Sequence, residues 1–508
     1  MMNSPAFEVP VSADGVNPLD ESRTVSGLDW LCVAYLGLPV LLFFFTWLRL
    51  DVGGVLALLF VMGCIVSLSG TSSTSRGLTR GQWLAVVVVA IAWAMLGGAG
   101  HVFYANYFDW HVRDAVLLDL TRHSGPFVLR AADDIQLLFR SPLAYYLVPA
   151  YLARALGEGG SAQFLLLAWT AIGVALFFAQ VVVRARSVRD MTVMLVVVVA
   201  FSGMDWVGGI VAGHPQPLLS TEHLQWWATL FQYSSNTTLL FWVPNHALPG
   251  WFLAAFLYVR WSDPRAVRMV PFWLAVLPLW SPLTAIGCIP LLLALVWRHR
   301  GARRDLIAMI CAGALFLLPA LASSAYLVLD AASVPASRGE SIFNAPFMRR
   351  YVMFVVLQFG LLWICLWRMR ADVLLAIAGA VLLALPLFRF GPNNDLVMRA
   401  SIAPLMVVGL AAADRLCALD WSVKAARDQG MTIVVLLALG AITPAHEIAR
   451  SLLEPRWTAS TTTTAYIETL GAPHYFARLE GSLFERLLAE PIILPAPAVL
   501  PKQNIQMP

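Results

Sequence analysis

Asn106-Tyr107-Phe108-Asp109-Trp110-His111-Val112-Arg113-Asp114 crowds carboxylates, an imidazole and a guanidinium into one short stretch, with Asp119, His123, Asp133, Asp134 and Arg140 close behind. If Asp109 opens a helix, Arg113 lies one turn further on the same face, and His111 and Asp114 are likewise one turn apart. A carboxylate held at such a helix start can take a proton from a substrate hydroxyl. The competing reading makes Asp109 or Asp114 a helix N-cap, with the other charges on a solvated face. The density of polar groups between greasy flanks favours chemistry.

Three more polar clusters interrupt the apolar sequence. From Phe201 to Trp251, Asp205 breaks an apolar run, Glu222 and His223 open an aromatic-rich amphipathic stretch, and Asn245 and His246 flank the next run. A carboxylate within a membrane segment is costly, which makes Asp205 a candidate for function. Trp206, Trp226, Trp227, Tyr233, Trp242 and Trp251 offer ring faces that stack on sugars or settle at a membrane interface. Between Arg389 and Arg399, Gly391-Pro392-Asn393 reads as a turn, and Asn394 or Asp395 as an N-cap. Arg399 then falls on the first helical turn, where a guanidinium and a helix N-terminus both suit phosphate. The alternative there is an Asp395–Arg399 pair at i,i+4 with a snorkelling arginine. The last cluster closes with Arg349-Arg350, for which anionic lipid headgroups would suffice as partners.

The elements that must position these groups are membrane helices. Of 508 residues, 59% are hydrophobic and 13% charged, against roughly 25% charged in a typical soluble domain. Apolar runs approach the length needed to cross a hydrocarbon core of about 30 Å. Candidate spans are 27–48, 52–70, 83–104, 163–183, 191–210, 246–260, 269–281, 283–297, 306–330, 351–367, 371–388, 401–418 and 431–447. The expectation is an all-α polytopic membrane protein with a bundle of about 11–13 transmembrane helices. The net charge of +4 comes from scattered arginines and does not suit nucleic acid. All six cysteines lie in or beside apolar runs without paired spacing, so they read as packing residues.

Arg-rich connections at Arg76/Arg80, Arg184–Arg189, Arg260–Arg268, Arg298–Arg304, Arg368/Arg370 and Arg415–Arg427 mark a cytoplasmic face. That choice places residues 1–26 in the cytoplasm; with Asp14, Asp20, Glu21, Arg23 and no apolar core, they do not read as a cleavable signal peptide. Residues 27–447 form the bundle, and loops 105–162, 204–245, 331–350 and 389–400 face the other side. The 448–508 tail shares that side, begins polar and ends Pro-rich, without a catalytic constellation; its end is expected to be extended or disordered. Residues 141–156 are apolar but short, and are expected to form an interfacial or re-entrant helix. Runs 269–281 and 283–297 meet at Trp280-Ser281-Pro282 and form either two short crossings or one hairpin.

The YFDWHVRD motif in the first large loop is followed by Pro142-Leu143-Ala144-Tyr145-Tyr146 and a many-span bundle with polar loops on the same side. This organisation, over residues 83–420, resembles the GT-C superfamily of integral membrane glycosyltransferases, which take sugars from polyprenyl-phosphate carriers. The resemblance implies interfacial helices in the first large loop and Asp109 as catalytic base or metal ligand. It also implies Arg399, with Arg349 and Arg350 behind it, as the holder of the carrier phosphate. His111 is expected beside the base. Arg113, Asp114, Asp205, Glu222, His223, His246, Asn394 and Asp395 are expected to line the substrate. No metal ligand set is assigned; a divalent metal is compatible with Asp109, although Trp110-His111 stands where an adjacent acidic pair or Asp-x-Asp is absent. The implied partners are a polyprenyl-phosphate-linked sugar and membrane lipids, in the plasma membrane of a bacterium, with the site facing outward.

Two rival classes share the polytopic layout. A transporter or lipid flippase would hold ionisable groups near the bilayer midplane and often repeats its halves. An O-antigen-type polymerase or ligase joins glycans already on lipid carriers, so dependence on a monosaccharide-lipid donor separates it from a transferase. A nucleotide-sugar enzyme lacks support, because the sequence has no Gly-rich phosphate loop.

Overall fold

The computed structural model describes residues 27–69, 77–130, 135–157, 161–218, 222–229, 231–330, 345–391, 393–468 and 475–495. Expectations for residues 1–26, for Asp133 and Asp134, for most of the loop 331–350 and for the Pro-rich terminus lie outside them.

Helix α1 (Gly27–Trp47) turns sharply into α2 (Leu50–Leu68). Helix α3 (Arg80–Leu96) starts at a capping box, in which Thr79 and Gln82 exchange side-chain and backbone bonds of 2.9 and 3.3 Å. Helix α4 (Tyr107–Arg122) carries the charged motif and leads to strands β1 (Phe127–Arg130) and β2 (Gln136–Phe139). Helix α5 (Ala144–Ala155) has 12 residues. At 1.5 Å per residue it spans about 18 Å, too little for a hydrocarbon core of about 30 Å. It lies buried against α4, α1 and the long helix α6 (Ala162–Val182).

Helix α7 (Val188–Ala200) bends by 42° into α8 (Asp205–Val211). Helices α9 (Asn236–Trp242) and α10 (Pro244–Arg260) meet at Val243, where Pro244 has no N–H with which to continue a ladder. This element therefore begins ten residues before the 246–260 span read from the sequence. Helices α11 (Val270–Trp280) and α12 (Pro282–Arg298) form a hairpin with Ser281 at its apex. Its ends return to one level, since His299 Nε2 donates to the Trp261 carbonyl at 3.0 Å and Arg268 pairs with Asp305 at 2.7 Å.

Helix α13 (Arg303–Val328) crosses the molecule, and α14 (Ala345–Val355) passes through a π-helical turn, Val356–Gly360, into α15 (Leu361–Met369). Helix α16 (Val373–Ala384) leads to α17 (Asp395–Ala400) and α18 (Ile402–Ala418). Helix α19 (Lys424–Gly440) continues into the amphipathic α20 (Ile442–Leu453). The tail adds α21 (Ala465–Glu468), β3 (Phe476–Arg478) and β4 (Ile492–Pro495).

Among the described residues, seven helices are long and apolar enough to cross a membrane, or eight with the bent α7–α8 pair counted as one span. Shorter apolar helices supplement them at Arg80–Leu96, Pro282–Arg298 and Val373–Leu387. The chain is a helix-dominated polytopic membrane protein. One end gathers the arginines: Arg260 contacts Asp29 at 2.5 Å and Asp263 at 3.7 Å, and Arg415 donates to the Arg370 carbonyl. The opposite end gathers the polar loops and the tail.

At that opposite end the helical architecture carries one small sheet. Strands from the first loop and the tail form a four-stranded sheet in the order β3-β2-β1-β4. Its β1–β2 and β2–β3 pairs are antiparallel, while β1 and β4 run parallel. Leu48 bridges Leu488, Arg49 N donates to Leu487 O, and Ser451 Oγ donates to Leu96 O. Trp457 Nε1 donates to Ala105 O as well. The tail is thus woven into the membrane-helix corners, because sheet pairing satisfies backbone groups that the β1–β2 pair leaves open.

Candidate functional site

Asn106 caps α4 by accepting from Asp109 N at 3.3 Å, which fixes where Asp109 projects. Arg113 lies one turn on and donates through Nη2 to Asp109 Oδ1 at 2.8 Å. Its other nitrogens are also engaged: Nε donates to the Trp242 carbonyl at 2.7 Å, and Nη1 to Asn245 Oδ1 at 3.1 Å and the Tyr146 hydroxyl at 3.3 Å. Arg113 is buried and has four of its five N–H donors committed, so its geometry fixes the position of Asp109. The Asp109 side chain keeps 27% of its surface exposed. Its Oδ2 has no hydrogen bond among the described residues.

The break at Val243 supplies both Trp242 and Asn245. Asn245 spends its carbonyl on Arg113, so its amide donates to His246 Nε2 at 3.3 Å. That fixes the tautomer: His246 Nδ1–H then donates to Ser281 Oγ, at 2.7 Å, on the hairpin apex. Ser281 in turn bonds Thr284 Oγ1 at 2.6 Å. His246 lies roughly 20 Å along α10 from Arg260, at 1.5 Å per residue, and so sits well away from the arginine-rich end.

Arg399 arrives on α17, the short helix that follows the turn at Gly391. Its side chain is only 12% exposed, and its one ion contact among the described residues is a long one, 3.9 Å to Asp395. No hydrogen bond to its guanidinium occurs among the described residues. Asp109, Arg113 and Tyr475 all act on it electrostatically, and Arg399 and Arg113 both act on His246. The structure therefore brings Asp109, Arg113, His246, Asp395 and Arg399 into one cluster at the end of the bundle opposite Arg260 and Arg415. Tyr146, Asn245, Ser281 and Tyr475 complete it. A buried guanidinium with its donors unspent is arranged to take an anion.

Other expected site residues lie elsewhere. Asp114 does not pair with His111; its Oδ2 bonds His101 Nε2 at 2.8 Å and its Oδ1 accepts from Gln163 at 2.8 Å. His111 donates through Nδ1 to the Tyr107 carbonyl, and its ring stacks on Tyr107 at the rim. Asp205 is not a ligand-binding group, because five donors saturate it: Ser202, Gln225, Trp227, Gln358 and Thr443, at 2.6–3.2 Å. It ties α8 to the π-helical turn and to α20. Glu222 is exposed, and its backbone carbonyl accepts from His446 Nε2 at 3.0 Å. His223 is buried against Glu447, at 2.8 Å, beside the cluster and outside it. Asn394 takes a left-handed φ of 56° and accepts from Phe390 N, so it shapes the turn. Arg349 and Arg350 are exposed on α14, and neither is among the main electrostatic neighbours of Arg399.

Sequence reasoning missed Tyr475, Glu447 and Arg450. Glu447 accepts from His223, from Arg450 at 3.0 Å and from Trp242 Nε1 at 2.9 Å, and so braces the residue whose carbonyl holds Arg113. A groove of about 480 Å³ exists at the arginine-rich end, lined by Asp29, Gln180, Phe256, Arg260 and Trp273. Its arginine is already paired with Asp29, so it offers less chemistry than the Asp109–Arg399 cluster. Among the described residues no three His, Cys, Asp or Glu side chains gather as a metal set. All six cysteines are free thiols. No family model matches the chain, and no curated protein matches it in sequence.

Proposed function

We propose that this protein is a membrane glycosyltransferase of GT-C type that moves a sugar from a polyprenyl-phosphate carrier to an acceptor on the extracytoplasmic side of a bacterial plasma membrane. The observation that carries the reading is Arg399: a mostly buried guanidinium without a hydrogen-bond acceptor among the described residues, in the same cluster as a partly exposed carboxylate, Asp109. The positive-inside bias supports the orientation, since the cluster lies at the end opposite the arginine-rich connections.

In the mechanism we infer, the carrier phosphate sits against Arg399 with its isoprenoid chain along the bundle. Asp109, held in place by Arg113, accepts the acceptor hydroxyl's proton as that oxygen bonds to the anomeric carbon. The bond from the anomeric carbon to the phosphate oxygen breaks, and the carrier phosphate leaves as an anion beside Arg399. His246, neutral and fixed by Asn245 and Ser281, offers polar contact to sugar hydroxyls. The exposed rings of Tyr107, Phe108 and Trp226 suit stacking at the rim. Purified protein incubated with a radiolabelled polyprenyl-phosphate sugar tests the reading. Release of carrier phosphate that depends on both Arg399 and Asp109 supports it, and a chain inert toward every such donor counts against it.

A further inference from the structure

Tyr475 reaches the charged cluster from the polar tail, far along the chain from every other member. Its carbonyl accepts from Arg140 N at 2.7 Å, and the next residue begins β3, which pairs with β2 through Phe476–Phe139. Phe476 packs edge-on against Tyr466 and beside Phe139, so its ring anchors the start of the strand. Asp119 on α4 holds the tail again by accepting from Ala465 N at 2.8 Å. These ties set the tyrosine backbone at a fixed place above α4. There the phenol has Arg113, Tyr146, Asp109 and Arg399 as its electrostatic neighbours.

We propose that Tyr475 is part of the anion subsite, donating its phenolic hydrogen to a phosphate monoester held by Arg399, so that the C-terminal tail supplies one wall of the site. The inference deepens the reading of Arg399 as a phosphate-binding residue and rests on it. Two features support it. Arg113 has committed four of its five N–H donors to Trp242, Asn245, Tyr146 and Asp109. A phosphate seated on Arg399 therefore needs another donor nearby, and Tyr475 is the neighbouring hydroxyl. Burial pushes the phenol up to about 12, so it stays protonated and able to donate at neutral pH. Tyr475 retains a small exposed surface, which leaves it reachable.

The test uses the full chain in detergent micelles, titrated separately with undecaprenyl phosphate and with inorganic phosphate and read by native mass spectrometry. Tyr475→Phe removes one oxygen and keeps the ring. Tyr466→Phe, in the same tail but packed on Phe476, is the control for tail packing. Loss of a hydrogen bond to a charged group predicts that Tyr475→Phe binds the phosphate probe about tenfold to a hundredfold more weakly. Tyr466→Phe should bind as the wild type does, and the melting temperatures of both variants should match it. Arg399→Gln should lose binding altogether. Preference for the lipid over inorganic phosphate identifies the carrier as the source of the anion; equal binding identifies free phosphate, with the same role for Tyr475. Wild-type affinity in Tyr475→Phe, beside a defective Arg399→Gln, overturns the assignment of Tyr475 while leaving Arg399 standing. Equal losses in the two tyrosine variants overturn it too, by showing a packing effect. A wild type that binds neither probe overturns the phosphate subsite as a whole.

Discussion

Arg113 donates to Asp109 at 2.8 Å from one helical turn away, and the same guanidinium reaches across to the Trp242 carbonyl at 2.7 Å. The first contact is local and the second joins α4 to the α9–α10 break. One side chain thus fixes the candidate base relative to the helix that carries Asn245 and His246.

Asp109→Asn preserves an acceptor for Arg113 but cannot take a proton. Turnover with a polyprenyl-phosphate sugar should fall by about 10²–10⁴-fold, the usual contribution of a positioned base, with an unchanged melting temperature. Near-normal turnover in that variant would remove Asp109 from the chemistry.

Arg113→Met should be more damaging than its distance from any substrate suggests. It strips the Trp242 carbonyl, Asn245, Tyr146 and Asp109 of a shared donor. Breaking a buried pair from one side costs about 3–5 kcal/mol, and the lower end applies because Asp109 is partly exposed. Thermal unfolding in detergent measures this, and an unshifted transition would contradict the positioning role.

The Asp109–Arg113 pair was legible in the sequence, since i,i+4 spacing after a capping residue specifies it. The turn ahead of Arg399 was legible from Gly-Pro-Asn, but the first-turn placement was not met: Arg399 falls in the last turn of the short α17, and the apolar helix α18 starts only at Ile402. The pairing of Asp114 with His101 was not. His101 reaches it from a left-handed φ of 48° after Gly100, a backbone conformation that no local pattern announces. Asp205 looked functional because a lone carboxylate in an apolar run is costly. Its five donors come from segments as distant as Gln358 and Thr443, and only the fold reveals them. Tyr475 was invisible for a related reason: its segment has little periodicity, and the pairing of β3 with β2 that places it is a long-range contact.

Asp205→Ala should prevent accumulation of folded protein, whatever the activity, because five buried donors lose their acceptor. Each orphaned group costs about 1–3 kcal/mol. Size-exclusion chromatography of the solubilised variant reads the result; a monodisperse, normally stable variant would show that the carboxylate is dispensable to the fold.

Asp119 gives the tail a pH dependence. Burial pushes its carboxyl up to about 7, against an ordinary value of about 4. A carboxyl raised in the folded state binds its proton there and not in the unfolded chain. Its contribution is therefore complete below about pH 4 and is lost as pH rises through about 7. Hydrogen exchange across 465–468, corrected for intrinsic rates, should show protection falling between about pH 5 and about pH 8. Asp119→Asn, which keeps an acceptor for Ala465 N, should abolish that slope. A wild type with flat protection over the same range would contradict the assignment.

The central claim is that Arg399 holds a lipid-linked phosphate within reach of Asp109. An experimental structure of the full chain with undecaprenyl phosphate tests it most directly. The account predicts phosphate oxygens about 3 Å from the Arg399 guanidinium, on the Asp109 side of α4. A phosphate bound instead in the Asp29–Arg260 groove, or on the exposed Arg349 and Arg350, would contradict it.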